Sequence, residues 1–215
     1  MKITASLTLA IAVLATISSA AQARPWQPVP RTSLTVTDGE ISPFRTTSLR
    51  TRSGAMRAVV DDGGIHASRA RLAFRLAGPS SETIPLGSGI VRTQIGLKLR
   101  ATDPCNLVYV MWRSAPESAI AVYVKRNPGQ TTSAQCGNAG YTDVATIPLS
   151  PEQASGRHVL EARTRRAGDG SLVVSILTDG SKLRKLRLSP ALTAGLDGPA
   201  GVRSDNGDYV FGLWT

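Results

Sequence analysis

Over residues 91–100 (VRTQIGLKLR) the side chains alternate. Thr93, Ile95, Leu97 and Leu99 fall on one side; Arg92, Gln94, Lys98 and Arg100 fall on the other, with Gly96 between them. Successive side chains of an extended chain point to opposite faces, so a period of two predicts a strand with one buried face. The pattern recurs in short runs. Residues 70–76 (ARLAFRL) put Leu72, Phe74 and Leu76 on alternate positions, and residues 34–37 (LTVT) run into Asp38-Gly39. Residues 58–60 run into Asp61-Asp62-Gly63-Gly64, and residues 120–125 (IAVYVK) into Asn127-Pro128-Gly129. Residues 158–165, 172–177 and 183–188 are joined by Asp-Gly turns, which predicts a three-strand meander. No long amphipathic helix and no internal repeat interrupts the rhythm. Only residues 148–155 and 190–194 suit single helical turns, and residues 130–142 read as a polar loop. About ten to fourteen short strands imply a sandwich or jelly roll.

The N-terminus constrains where such a domain works. Lys2 supplies a positive start, residues 7–17 (LTLAIAVLATI) an uncharged apolar run, and Ala21-Gln22-Ala23 a small-residue exit. These are the parts of a cleavable export signal. The run is shorter than the roughly 20 apolar residues a membrane-crossing helix needs. The expected organisation is a signal peptide over 1–23, an extended proline-rich lead-in over 24–33, and one domain over 34–215, periplasmic or secreted. An uncleaved N-terminal anchor is the alternative. The lead-in holds three prolines, which cannot donate to a ladder and exclude a central strand there.

The chain carries a net charge of +10. Outside the cell membrane such a protein meets acidic polysaccharides and headgroups, and the export signal argues against nucleic acid. The basic residues are dispersed, as on an ordinary solvated surface. Cys105 and Cys136 are the two cysteines, an even count in an exported chain, and a disulfide is expected. It would tie the turn before Leu107 to the loop after Asn127; two buried free thiols are the alternative.

The last third carries a more specific pattern. A strand pair ending in an Asp-Gly turn (residues 172–180) is followed by Gly198-Pro199-Ala200-Gly201-Val202-Arg203-Ser204-Asp205-Asn206 and an aromatic closing strand. Residues 156–215 resemble the end of concanavalin A-like and laminin G-like jelly rolls. The resemblance implies an all-β, two-sheet antiparallel jelly-roll sandwich with one concave sheet, and glycan binding or glycan cleavage on that face. Fold alone does not assign function. In this segment the glycines, Asp205 and Asn206 suit a turn scaffold, ahead of a ligand role.

Catalytic patterns are sparse. Glycoside hydrolysis needs two carboxylates roughly 5–10 Å apart. None of Glu40, Glu82, Glu117, Glu152 and Glu161 has an acidic neighbour at strand spacing on a plausible concave strand. Jelly-roll lyases of acidic polysaccharides are echoed only by Arg92-Thr93-Gln94-Ile95 and Val122-Tyr123-Val124-Lys125, without their histidine and glutamate. His66 and His158 are isolated and read as surface or turn residues, so neither a metal nor a cofactor is expected. What remains is a binding face. If residues 91–100, 107–113 and 120–125 pair as a meander, Gln94, Lys98, Tyr109, Arg113, Tyr123 and Lys125 share one side, with Trp112 opposite in the core. Rings for stacking beside cations and an amide suit a glycan or polysaccharide, neutral or acidic. The competing readings are a solvated convex face with core tyrosines, a lyase for an acidic glycan, and an envelope module that contacts another protein.

Overall fold

The computed structural model describes residues 25–61, 68–150, 153 and 156–215. The turn at 61–64, His66 and half of residues 148–155 therefore lie wholly or partly outside the described residues. Fourteen strands are described, and every pairing between them is antiparallel. They are β1 (Leu34–Asp38), β2 (Ser42–Arg45), β3 (Ser48–Thr51), β4 (Ala55–Val60), β5 (Arg69–Gly78), β6 (Thr93–Asp103) and β7 (Asn106–Ala115). The series continues with β8 (Ala119–Lys125), β9 (Tyr141–Pro148), β10 (Arg157–Arg166), β11 (Leu172–Thr178), β12 (Ser181–Leu188), β13 (Gly201–Asp205) and β14 (Asp208–Trp214). A front sheet runs β1-β4-β13-β6-β7-β8-β9 and a back sheet β12-β11-β10-β5-β14-β3-β2. This is an all-β jelly-roll sandwich.

Alternation decides which residues fill the space between the sheets. Ile95, Leu97 and Leu99 of β6, Val108, Val110 and Trp112 of β7, and Ile120, Val122 and Val124 of β8 enter one continuous core. The back sheet answers with Leu72, Phe74, Leu160, Val174, Ile176 and Phe211. Apolar area removed from water at about 25 cal/mol per Å² is the main favourable contribution. Trp112 is fully buried as expected, edge-on to Phe74 at 5.4 Å. His158 corrects the surface reading. It is buried, its ring stacked on Trp112 at 4.4 Å and its Nδ1 3.1 Å from Asp179 Oδ2. On β10 it shares parity with Leu160 and Ala162, so the strand itself turns it inward.

Strand β7 is apolar on both sides because both sides are covered. Its outward residues Leu107, Tyr109 and Met111 join Ala101 in a second, smaller apolar cluster. The cover comes from loops 79–92 and 126–140. Cys105 and Cys136 are bonded, with Cα atoms 5.8 Å apart, so the second loop is fastened to the root of β7. Cys136 ends α1 (Ser133–Cys136), a helical turn inside the segment read as plain loop; β9 follows directly and was not legible there. A second turn, α2 (Pro190–Thr193), stands where expected, its Leu192 N–H donating to Ser189 Oγ.

Three details depart from simple alternation. Arg100 has φ +53 at an irregularity in the β6–β7 ladder. Left-handed backbone turns it off the outer face. Its Nε donates to Thr164 Oγ1 (3.0 Å) and its Nη1 to Asp197 Oδ1 (2.6 Å). Asn206, φ +52, makes the two-residue crossing from β13 in the front sheet to β14 in the back sheet. The lead-in is extended over residues 25–30, but Arg31–Ser33 close it as a 3-10 turn, which corrects the expectation of an extended run to 33. It pairs with the end of β14 through Gln27, Pro28 and Val29, on the edge that β3 leaves open.

Candidate functional site

The β6-β7-β8 meander forms as the sequence implies, and its register lays out the outer face of the front sheet. One row across the strands reads Asp205, Gln94, Arg113 and Ala119; the next reads Arg57, Arg203, Gly96, Met111 and Ala121. A third reads Val59, Gly201, Lys98, Tyr109, Tyr123 and Asp143, and a fourth Leu107, Lys125 and Tyr141. Small residues keep the middle of this face low. At Gly96 a Cβ would lie 2.8 Å from Met111 Sδ. The two loops rise over this face and meet where Gly87 packs against Asn138. A groove of about 610 Å³ results, lined by Arg57, Gln94, Met111, Arg203 and Asp205 on the sheet, Tyr123, Tyr141 and Asp143 on its far strands, and residues 84–88, Arg92 and Asn138 from the loops.

Asn206 fixes one wall. Its Oδ1 accepts from Ile84 N (2.7 Å), and its Nδ2 donates to Ile84 O (2.8 Å) and Arg92 O (3.1 Å). Asn206 is a scaffold residue, but of a different kind from the one expected: its side chain braces the distant loop 79–92 rather than its own turn. Its neighbour Asp205 does more. Its carboxylate, 1% exposed, accepts from Arg57 Nη2 (2.7 Å) and Gln94 Nε2 (2.7 Å) and takes Arg203 Nε at 2.9 Å. Burial opposes ionisation of Asp205, but Arg203 and Arg57 outweigh it and hold the carboxyl below its ordinary range. Such a group stays an anion and cannot deliver a proton near neutrality.

Aromatic rings continue the groove from Arg203. Its guanidinium lies 5.0 Å from the Tyr109 ring centroid and its Nη1 donates to Tyr141 Oη at 3.2 Å. Tyr109 and Tyr141 stack at 6.1 Å, and Tyr123 meets Tyr141 edge-on at 6.4 Å. Burial pushes the Tyr109 phenol up to about 12, and the same burial lowers Lys98 to about 7, helped by Arg57, Arg203 and Lys125. Desolvation also lowers Lys125, whose Nζ donates to Gly137 O at 2.7 Å.

The structure brings all six candidate residues to one face, but to different depths. Gln94 and Tyr123 line the groove. Lys98, Tyr109 and Lys125 are buried beneath its walls, and Arg113, also buried, packs its guanidinium 5.4 Å from the Tyr123 ring centroid. Arg57, Arg203, Asp205, Tyr141 and Asp143 were not among the candidates. The first three had a usable signal, since Arg57 alternates with Met56 and Ala58, and Arg203 and Asp205 alternate with Val202 and Ser204. Among the described residues no group of three or more His, Cys, Asp or Glu side chains could hold a metal ion. No helix among them is long and apolar enough to cross a membrane.

No family model matches the chain, and no curated protein matches it by sequence. Solved structures do match. The metal-free carbohydrate recognition domain of Emp46p superposes with a TM-score of 0.50 at 6% identity, over 88% of this chain and 98% of that one. A legume lectin-like domain from Entamoeba histolytica gives 0.49 at 10% identity, over 86% of this chain and 90% of that one. The carbohydrate recognition domain of Emp47p gives 0.47 at 9%, over 87% and 89%. At 6% identity the likeness to the Emp46p domain concerns the fold alone, and the two antiparallel seven-stranded sheets are consistent with a concanavalin A-like jelly roll.

Proposed function

We propose that this chain is an exported, non-catalytic carbohydrate-binding domain: a signal peptide over 1–23, a lead-in over 24–33, and a binding domain over 34–215 that takes a glycan along the front-sheet groove. The observation that carries the reading is the groove itself. Within about 610 Å³ it combines tyrosine rings with side-chain donors and acceptors held rigid by their neighbours. Sugars are recognised in this way, by stacking on rings while hydroxyls bond to fixed polar groups. Likeness of fold to a carbohydrate recognition domain agrees with the reading. Absence of catalysis fits the state of Asp205, a carboxylate committed to two guanidiniums and an amide.

A glycan array followed by calorimetry tests the proposal, with Tyr123→Ala as the site variant. Tyr123 is only partly buried, so the variant should melt near the wild type while affinity falls by about 1–2 kcal/mol, or roughly five- to thirtyfold. A large drop in melting temperature would make Tyr123 a core residue; an unchanged melt with unchanged affinity would remove the groove from the reading. A second reading rests on one contact, Arg92 Nη1 donating to Tyr123 Oη at 3.1 Å. A guanidinium beside a phenol could neutralise a uronate and move its α-proton. A rise in ultraviolet absorbance on incubation with uronate polymers would establish that lyase.

A further inference from the structure

The front face carries more positive charge than its own acids neutralise. Arg57, Arg92, Lys98, Arg113, Lys125 and Arg203 share the face or rim the groove, against Asp205 in the centre, Asp38 and Asp143 at the rim, and Glu117 and Asp103 farther out, whose charges reach Arg113 and Lys125. Asp205 satisfies Arg57 and Arg203 only. Among the described residues no carboxylate lies within ion-pair distance of Arg92, Lys98, Arg113 or Lys125.

Two of these cations make no side-chain hydrogen bond among the described residues. Lys98 is 2% exposed as a residue, with its ammonium not fully sealed from the surface. Arg113 Nε is buried and unpartnered, as is the acceptor Gln94 Oε1 beside it in the register. Buried charge is ordinarily paired, and an apolar side chain at either position would serve the fold better. A cluster of desolvated cations around a groove is the arrangement that an arriving anion relieves.

We infer that the ligand of this groove is an acidic glycan, whose anionic group (a uronate carboxylate or a sulfate ester) is taken at the Arg92 wall of the groove, while Lys98, Arg113 and Lys125 act through their field and Arg57 and Arg203 stay paired with Asp205. The inference rests on the groove being a glycan site. Lys98 gives it a distinctive signature. Burial holds this amine near half-protonation at neutral pH, in the field of Arg57, Arg203 and Lys125 and beside Tyr109. An anion in the groove favours the ammonium, so binding takes up protons, and affinity falls as pH rises through about 7.

The test is calorimetry with three oligosaccharides of equal length, one neutral, one uronate-bearing and one sulfated, each in two buffers of different ionisation enthalpy. One or both acidic probes should bind at least about tenfold more tightly than the neutral one, with affinity falling as salt rises. Which of the two binds identifies the anion. Lys98→Met should keep the fold, weaken acidic binding about five- to tenfold, the worth of one partly screened charge, and abolish the proton uptake. Equal or tighter neutral binding overturns the inference and leaves the groove as a glycan site; no binding by any probe overturns both. A control separates the groove from the other basic face. Arg165 and Lys185 rim a basin on the back sheet. If Arg165→Ala/Lys185→Ala loses acidic binding while Lys98→Met retains both affinity and proton uptake, the anion sits on that sheet and the inference fails.

Discussion

Replacing Asp205 by Asn tests how the groove is held together. The amide keeps the shape of the carboxylate but removes its charge and one acceptor. Both oxygens now face donors: Oδ1 meets Arg57 Nη2, and Oδ2 meets both Arg203 Nε and Gln94 Nε2. Whichever is replaced by NH₂ confronts an N–H, and buried Arg203 and partly buried Arg57 lose the one carboxylate paired with them among the described residues. Breaking a buried ion pair from one side costs about 3–5 kcal/mol. At about 2–4 °C per kcal/mol for a domain of this size, calorimetric melting at neutral pH should fall by about 6–20 °C. The pH dependence has a defined sign. The folded carboxyl is held below its ordinary range, so its contribution is complete above the unfolded value of about 3.9 and is lost as pH falls through the folded value. The deficit of the variant should therefore be constant from neutrality to about pH 5 and shrink only in stronger acid. A melting shift under about 2 °C at neutral pH, or a deficit undiminished at the acid limit, would refute the clamp.

Two further outcomes follow from the loops. Cys105→Ala/Cys136→Ala should lose about 3–4 kcal/mol by the loop-entropy relation, with thiols of the unreduced wild type inaccessible to alkylation; free thiols in the wild type would contradict the bond. Asn206→Gly keeps the left-handed crossing but removes all three side-chain bonds to residues 84 and 92, so proteolysis within 79–92 should accelerate and glycan affinity fall. Unchanged cleavage rates would show that the wall stands without it.

What the sequence revealed and concealed has physical reasons. Strands β6, β7 and β8 were legible because each has a fully buried inner face, and burial enforces period two. Strand β9 is an edge strand, half exposed along its length, so nothing forces alternation on it, and Tyr141 and Asp143 went unread with it. Arg100 and His158 were misplaced for opposite reasons. A non-glycine residue with positive φ leaves no mark in the pattern, whereas the parity of His158 was visible but outweighed by the polarity of its ring. Arg57, Arg203 and Asp205 were legible by parity alone. They were passed over because their partners come from strands β4, β13 and β6, which are neighbours in space and far apart in sequence.

The pairing of the lead-in with β14 bears on how the domain could be displayed. Gln27 and Thr215 exchange two backbone hydrogen bonds, both 3.0 Å, so the chain enters and leaves the domain side by side. Strand β14 belongs to the back sheet and the lead-in is bridged to it there, whereas the groove opens on the far side of the front sheet. A tether at either end, whether an immobilising tag or a fusion partner, would hold the molecule by its back and present the groove outward. The same adjacency makes the chain a natural candidate for circular permutation. A short linker could join Thr215 to the lead-in, leaving new ends to be opened in any exposed hairpin remote from the groove, such as Asp179-Gly180 between β11 and β12.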